Sequence, residues 1–253
     1  MRSYGVAPID GDLEARAFCM EHHYSGSYPA ARFRAGLYRA RPFMPAELVG
    51  VAVFSEPAQR RAIPHWLRCS PSEGIELGRF VLLDDVEGNG ESWFLARATR
   101  LLVEAKPELR RVLSYSDPVP KADASGRLVS PGHVGLIYQA SNARVLGRSS
   151  RKREFLDARG RSFSARALSK IRNGERGAEA AERRFVQRGA PPRMRHEEGR
   201  AYVARALSEG SFVSAIHPGK IVYALGLNKR ERRLLPSNPE VYPKKEEGEE
   251  PKP

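Results

Sequence analysis

The sequence has little cysteine, no long apolar run and no internal repeat, and each absence removes a class of protein. Two cysteines in 253 residues, Cys19 and Cys69, make neither a disulfide framework nor a thiolate zinc site on their own. Two reduced thiols fit the cytoplasm. The longest apolar stretches, such as Val49 to Phe54, fall far below the ~18 residues a membrane span requires. No apolar segment follows a basic start, so the pattern of a secretion signal is missing. A cytoplasmic protein without membrane contact is expected.

Acidic residues are scarce in one part of the chain only. The net charge is +13, yet residues 1–142 carry 17 Lys/Arg against 16 Asp/Glu, and the tail from 236 carries 3 against 5. Residues 143–235 carry 23 against 9, so the whole excess sits in one contiguous stretch. A field concentrated in this way favours a polyanion, because phosphates bound by Lys and Arg release their counterions. Nucleic acid is the expected partner.

A hydrophobic content of 41% allows a real core in one domain or two. Asp12 can cap a first helix in which Leu13, Ala17 and Met20 recur at helical spacing, with Gly26 and Pro29 stopping it beyond His22-His23-Tyr24-Ser25. Strands are expected over Phe33–Arg39 and Leu48–Phe54, around a turn holding Pro42 and Pro45. After an irregular stretch over 56–73, Ile75–Leu83 reads as a strand. The clearest helix covers about 91–106, where Phe94, Leu95, Ala98, Leu101, Leu102 and Ala105 form one apolar stripe and Pro107 closes it. A short strand Val112–Tyr115, a Pro- and Gly-bearing loop Pro118–Gly132, a short helix Val134–Ser141 ending at Asn142, and a strand from Val145 follow. This alternation predicts an α/β protein with a mixed sheet and an open crevice.

Beyond 150 the texture changes to short basic helices at Ser162–Ile171 and Ala178–Val186, then a third at Gly199–Leu207. Phe212–Ile216 and Ile221–Leu225 read as a hairpin around Pro218-Gly219, and Lys229–Leu235 ends the ordered part. Residues 243–253 hold only Lys, Glu, Gly and Pro and are expected to be disordered. The predicted division is a catalytic core over 1–150, a basic helical DNA-contacting insertion over 151–210, a hairpin and basic helix over 211–235 returning to the core, and a tail from 236. Arg151, Lys152, Arg153, Arg166, Lys170, Arg172, Arg183 and Arg184 are the expected phosphate contacts.

Polar clusters lie in the near-neutral half. Adjacent histidines on a helix point about 100° apart, so one of His22 and His23 is expected to face a crevice. Ser114-Tyr115-Ser116-Asp117 ends a central strand, where open α/β sheets bind ligands; Asp117 before Pro118 also suits a plain turn. The stretch Gly132–Asn142 sets His133 near the start of a short helix bearing Tyr138, which by itself suits a core tyrosine equally well. Glu87-Gly88-Asn89-Gly90-Glu91-Ser92 leads into the long helix. Such a turn offers backbone N–H groups to an anion, although Glu87 and Glu91 oppose one and the spacing is not that of a nucleotide loop.

Strand, glycine-bearing turn, amphipathic helix, strand, and then a helix with Leu-Ile-Tyr near its end follow the order of the GNAT acetyltransferase core, which the chain resembles. That resemblance implies a coenzyme A pyrophosphate held at the turn before the helix, with Asn89, Gly90, Ser92 and Arg79 as cofactor contacts and acetyl-CoA as donor. It also implies Tyr138 as general acid. The usual Gln/Arg-x-x-Gly-x-Gly/Ala signature is absent from 86–92. A narrower resemblance rests on His22–Gly26, Leu48–Phe54, Glu76–Arg79, Ser114–Asp117 and Gly132–Asn142 in that order. These blocks look like the Mom-like bacteriophage DNA-modification proteins.

That likeness implies transfer of a carbamoylmethyl group to adenine N6 in double-stranded DNA, in a bacterial host cytoplasm, hindering restriction enzymes. His23, Tyr24, Asp117 and Tyr138 become the leading site residues, followed by His133, Arg79 and Ser92. The exocyclic amine is a weak nucleophile, so a base must take its proton at ~3–3.5 Å from the electrophile. Asp117 or His23 is expected in that role, and Tyr24 or Tyr115 is expected to stack on a flipped base. His23 or His133 with Asp117 would supply part of a site for a metal such as iron(II). A carbamoylmethyl group is attached through a CH₂ carbon, so acetyl transfer alone does not make it. Two rivals remain at this level: a GNAT enzyme acylating a small amine or a protein, and a non-catalytic DNA-binding protein.

Overall fold

The computed structural model describes residues 3–59 and 61–236. The expected disordered run over 243–253 lies outside the described residues. The chain divides into two units, the first made of residues up to 118, 133–149 and from 220 onward, the second of 119–132 and 150–219.

The first unit is built on a seven-stranded mixed sheet in the order β1-β2-β3-β4-β5-β11-β8. Its strands are β1 (Tyr4–Pro8), β2 (Ala31–Arg41), β3 (Met44–Ser55), β4 (Gly74–Leu82), β5 (Arg111–Ser116), β8 (Arg144–Arg148) and β11 (Ile221–Gly226). All neighbours are antiparallel except β4 and β5. The helices are α1 (Leu13–His22), α2 (Gly90–Ala105), α3 (Leu136–Ala140) and α7 (Lys229–Leu234). The mixed α/β class read from the sequence is the one observed.

Helix α2 follows its apolar stripe: Phe94, Leu95, Ala98 and Leu102 are buried in the main core, each large side chain contributing ~1.5–3 kcal/mol. Helix α1 does not follow the expected stripe. Ala15, Phe18 and Cys19 face the sheet, while Leu13 and Met20 are exposed. Both sets recur at helical spacing, and the set holding Phe18 brings the larger ring to Val51, Val53 and Val81. Asp12 precedes α1 without capping it; its carboxylate accepts from Arg34 (2.7 Å) and Tyr28 (3.0 Å) instead.

The expected hairpin around Pro218-Gly219 does not form. Strand β11 is buried along its whole length and takes an interior place between β5 and the edge strand β8, as a strand apolar on both faces must. Strand β10 (Val213–His217) is largely exposed and pairs with β9 (Lys152–Leu156) in the second unit. Residues 119–132 of the expected loop likewise carry a small ladder, β6 (Lys121–Ala122) with β7 (Leu128–Ser130), and belong to the second unit.

The second unit packs α4 (Ala165–Asn173), α5 (Ala178–Gln187) and α6 (Gly199–Glu209) around Phe163, Leu168, Ile171, Phe185, Tyr202 and Val203. Its residues carry 18 Lys/Arg against 9 Asp/Glu, a net of +9.

Candidate active site

The opening in the first unit starts where β4 and β5 part. Their parallel ladder holds only Gly74, Ile75 and Glu76 against Arg111, Val112 and Leu113. Beyond it β4 runs on to Leu82 and β5 to Ser116 without pairing each other. A bulge helps to part them: between Val53 and Phe54 on β3 the register skips Gly78, which bends β4 and raises its twist. Among the described residues the hydroxyl of Ser116, fully buried on β5, has no hydrogen-bond partner, and that of the equally buried Ser114 has none beyond its weak interaction with Tyr138. Buried hydroxyls without partners are uncommon.

Four elements bring titratable groups to this opening. His23 follows α1, Glu76 and Arg79 lie on β4, Asp117 and His133 flank the end of β5, and Lys220 precedes β11. His133 donates its backbone N–H to the Asp117 carbonyl at 2.8 Å, which closes the two ends of the first unit's chain where the second unit departs. Burial, then the charges of Arg79, His133 and Lys220, push the His23 imidazole down to about 3. Burial and Lys220 lower His133 against the opposing field of Asp117. Glu76 is raised by burial to about 7, with Lys220 and Arg79 pulling the other way.

The tautomer of His23 follows from its neighbours. Ser25 donates its backbone N–H to Nδ1 at 3.1 Å, so the neutral ring carries its proton on Nε2. The ring stacks on Tyr24, with centroids 4.4 Å apart. His22 points away, against Phe18. Arg79 braces this segment: it donates to the Ser27 carbonyl (2.9 Å), the Ser27 hydroxyl (2.5 Å) and the Gly78 carbonyl.

Tyr138 lies on α3, within the main core. Its phenol is buried and raised to about 12, chiefly by burial, with Ser114 opposing through its hydroxyl and Tyr24, Tyr223 and Glu76 adding lesser upward effects. Gly135 permits this arrangement. Its φ is +81°, and a Cβ there would stand 2.7 Å from the Tyr223 ring and 2.8 Å from that of Tyr138.

His23, Tyr24, Arg79, Asp117, His133 and Tyr138 therefore belong to one neighbourhood of mutually acting groups. Asn89, Gly90 and Ser92 sit at the start of α2. There the Ser92 hydroxyl donates to the Asn89 carbonyl at 3.2 Å, and Glu91 occupies the first turn. Arg79, expected beside them, has its hydrogen bonds on Ser27 and Gly78 instead. Among the described residues no three His, Cys, Asp or Glu side chains group to hold a metal ion, so His23, His133 and Asp117 do not form a ligand shell. Glu76 opens the Glu76–Arg79 block but is not expected as a site residue, and Lys220 is a lone cation before an apolar strand, without a local signal.

The expected phosphate contacts all fall in the second unit. Arg151, Arg153, Arg172, Arg183 and Arg184 are exposed there. Lys152 pairs with Glu154 at 2.9 Å and Arg166 with Glu175 at 2.5 Å, while Lys170 is half-buried.

The model of the Mom protein family matches residues 3–244. The chain belongs to the Mom protein family. No curated protein matches it. Among solved structures it is similar to a tandem GNAT protein from the clavulanic acid biosynthesis pathway, without acetyl-CoA. The identity there is 10%, the coverage 89% of this chain and 99% of that one, and the TM-score 0.44. It is also similar to a GNAT family acetyltransferase from Elizabethkingia anophelis with acetyl-CoA bound, at 8% identity, the same coverages and a TM-score of 0.36. No helix of this Mom-family chain, among the described residues, is long and apolar enough to cross a membrane.

Proposed function

We propose that this Mom-family protein is a transferase that places a carbamoylmethyl group on adenine N6 in double-stranded DNA, protecting phage DNA from host restriction. The observation that carries the reading is the division of charge and chemistry. The half-buried polar neighbourhood lies in the first unit, and a separate unit of net +9 offers phosphate-seeking arginines. A small-amine acetyltransferase has no use for the second, and a mere DNA binder has none for the first.

In this reading the adenine leaves the helix and stacks on Tyr24, itself backed by His23. The lowered pKa of His23 keeps the imidazole behind the Tyr24 ring neutral. Tyr138, protonated throughout the physiological range, donates its proton to the leaving atom of the donor. Asp117 and the adjoining His133 line the end of β5 and orient the substrate. Arg151, Arg153, Arg172, Arg183 and Arg184 hold the DNA backbone through phosphates. Acetyl-CoA-type donors would present their anionic part toward Asn89, Gly90 and Ser92; if the group is carbamoylmethyl, the donor must carry it on the CH₂ carbon.

Restriction digestion tests the reading. DNA from cells expressing the protein should resist endonucleases whose sites contain adenine and remain open to those whose sites are wholly G·C. Equal cutting of both classes would favour the DNA-binding rival. Acetylation of free amines by the purified protein without DNA would favour the small-amine enzyme.

A further inference from the structure

We propose that the turn Met194–Glu197 is the element by which the second unit enters duplex DNA. The Met194 side chain inserts between stacked base pairs and opens them, while Arg172, Arg195 and Arg200 hold the flanking phosphates. The proposal rests on the base-modification reading above and deepens it, because an adenine stacked and paired in a duplex offers no access to its N6 until the stack opens.

The turn is closed by its own backbone and clamped from α6. The Glu197 N–H donates to the Met194 carbonyl at 3.2 Å, and the Met194 N–H donates to the Glu197 carboxylate at 3.0 Å. Arg205 donates to both oxygens of that carboxylate, at 2.7 and 2.8 Å, and to the Pro192 carbonyl at 3.0 Å. Arg193 donates to the Glu197 carbonyl at 2.7 Å. Tyr202, buried in the unit's core, donates to the Pro191 carbonyl at 3.1 Å. His196 takes the third position of the turn at φ +64°, in the left-handed region that a side chain enters at a cost. All this fixes the shape of a segment whose Met194, Arg195 and His196 face solvent. A tip already fixed has little further chain to order on binding.

An exposed apolar side chain carries no meaning alone; its setting decides. Gly199, at the start of α6, lies so close to the end of α4 that a Cβ there would collide with the Ile171 and Arg172 carbonyl oxygens. That approach brings Arg172 beside the segment bearing Arg195 and Arg200. The three arginines are exposed and, among the described residues, pair with no acid; Glu198 is the exposed acid between Arg195 and Arg200. An unbranched thioether among uncommitted cations suits a base stack approached through its phosphates. A second apolar tip, Phe43 between β2 and β3, lacks that setting. Arg39 and Arg41 beside it pair with Asp85 and Glu47, each at 2.6 Å.

Duplexes in which 2-aminopurine replaces single adenines report the opening, since that base brightens when it unstacks. Wild-type protein at saturation should brighten them. Met194→Ala should melt like wild type and bind within ~3-fold of it, because phosphate contacts dominate affinity, yet lose most of the rise. Met194→Leu and the control Phe43→Ala should keep it. On a matched duplex at saturating DNA, Met194→Ala should modify adenine ~10–100-fold more slowly. With the adenine opposite a mismatch that already loosens it, the rate should return to near that of wild type. Arg172→Ala, Arg195→Ala and Arg200→Ala should each flatten the salt dependence of binding and still brighten the duplex at saturation. Brightening that survives in Met194→Ala, a wild type that binds and leaves the probe dim, or an equal loss of rate on matched and mismatched adenine would overturn the wedge while leaving the function standing. Brightening that depends on Met194, without any modified adenine, would overturn the function and keep the wedge.

Discussion

Tyr138 packs against Tyr223 with ring centroids 5.0 Å apart, and Tyr223 in turn donates its phenol hydrogen to the Val134 carbonyl. Gln139 donates to the same Tyr223 oxygen at 3.2 Å. A strand residue thus fixes both ends of the short helix that carries the acid. Helices of five residues do not hold a shape by themselves, so the position of the Tyr138 phenol depends on β11.

Two tyrosine variants separate chemistry from position. Tyr138→Phe keeps the ring packing and should melt within ~1 kcal/mol of wild type, while losing ~10²–10⁴-fold in transfer rate. Tyr223→Phe frees the Val134 carbonyl and should lower both melting temperature and rate, without abolishing transfer. Thermal melting and single-turnover rates on duplex DNA distinguish them.

The His23 ring ties stability to pH. Its folded pKa, about 3, lies below the ordinary 6.5, so the folded state binds fewer protons than the unfolded chain between those values. Stability is full above pH 6.5 and falls as the pH drops toward 3. Glu76 runs the opposite way: raised from 4.5 to about 7, it costs least below 4.5 and progressively more as pH rises through 7. Denaturant titrations from acid to neutral pH should find the acid-side fall shallower in His23→Asn. A fall identical to wild type would contradict the buried neutral imidazole.

Glu231 and Arg111 test the frame rather than the site. Arg111 donates to Glu231 at 2.8 Å and also to the Leu67 carbonyl, and both side chains are buried. Glu231→Gln leaves a buried guanidinium without its counter-charge and should cost ~3–5 kcal/mol in denaturant melts.

Gly160 is as constrained in the second unit. Its φ is +69° and a Cβ would stand 2.1 Å from the Ala122 carbonyl oxygen. Gly160→Ala should destabilise by at least ~1–2 kcal/mol from backbone conformation alone, with weaker DNA binding as the unit loosens.

Salt dependence sorts the arginines. Removing Arg172, Arg183 or Arg184 should lower the slope of log affinity against log salt by up to ~0.9 for each phosphate that is no longer neutralised. Arg166→Ala should change it less, because Glu175 already engages that side chain. Equal slopes for all these variants would place the DNA elsewhere.

Much of the first unit is legible in the sequence because strands β2 to β5 and helix α2 carry clear periodicity. Strand β11 is legible as a strand, but its partners are not: Pro218-Gly219 suits a hairpin, and only the burial of Ile221–Gly226 on both faces sends it to an interior place in a large sheet. The α1 stripe fails as a guide because two apolar faces share one helix, and choosing between them needs the sheet beneath. Among site residues, the polar blocks around His23, Asp117 and Tyr138 stand out. Lys220 does not, and Glu76 stands in a block of the resemblance without a role, since the surroundings of both lie in desolvation and in neighbours from distant segments, neither of which a local pattern records.

The most direct measurement is mass spectrometry of nucleosides from DNA of cells expressing the protein, beside cells expressing Asp117→Ala. The account predicts an adenosine heavier by one carbamoylmethyl group in the first sample and its disappearance or sharp decline in the second. Nucleosides of ordinary mass from cells holding folded wild-type protein, or a modification carried on another base, would contradict it.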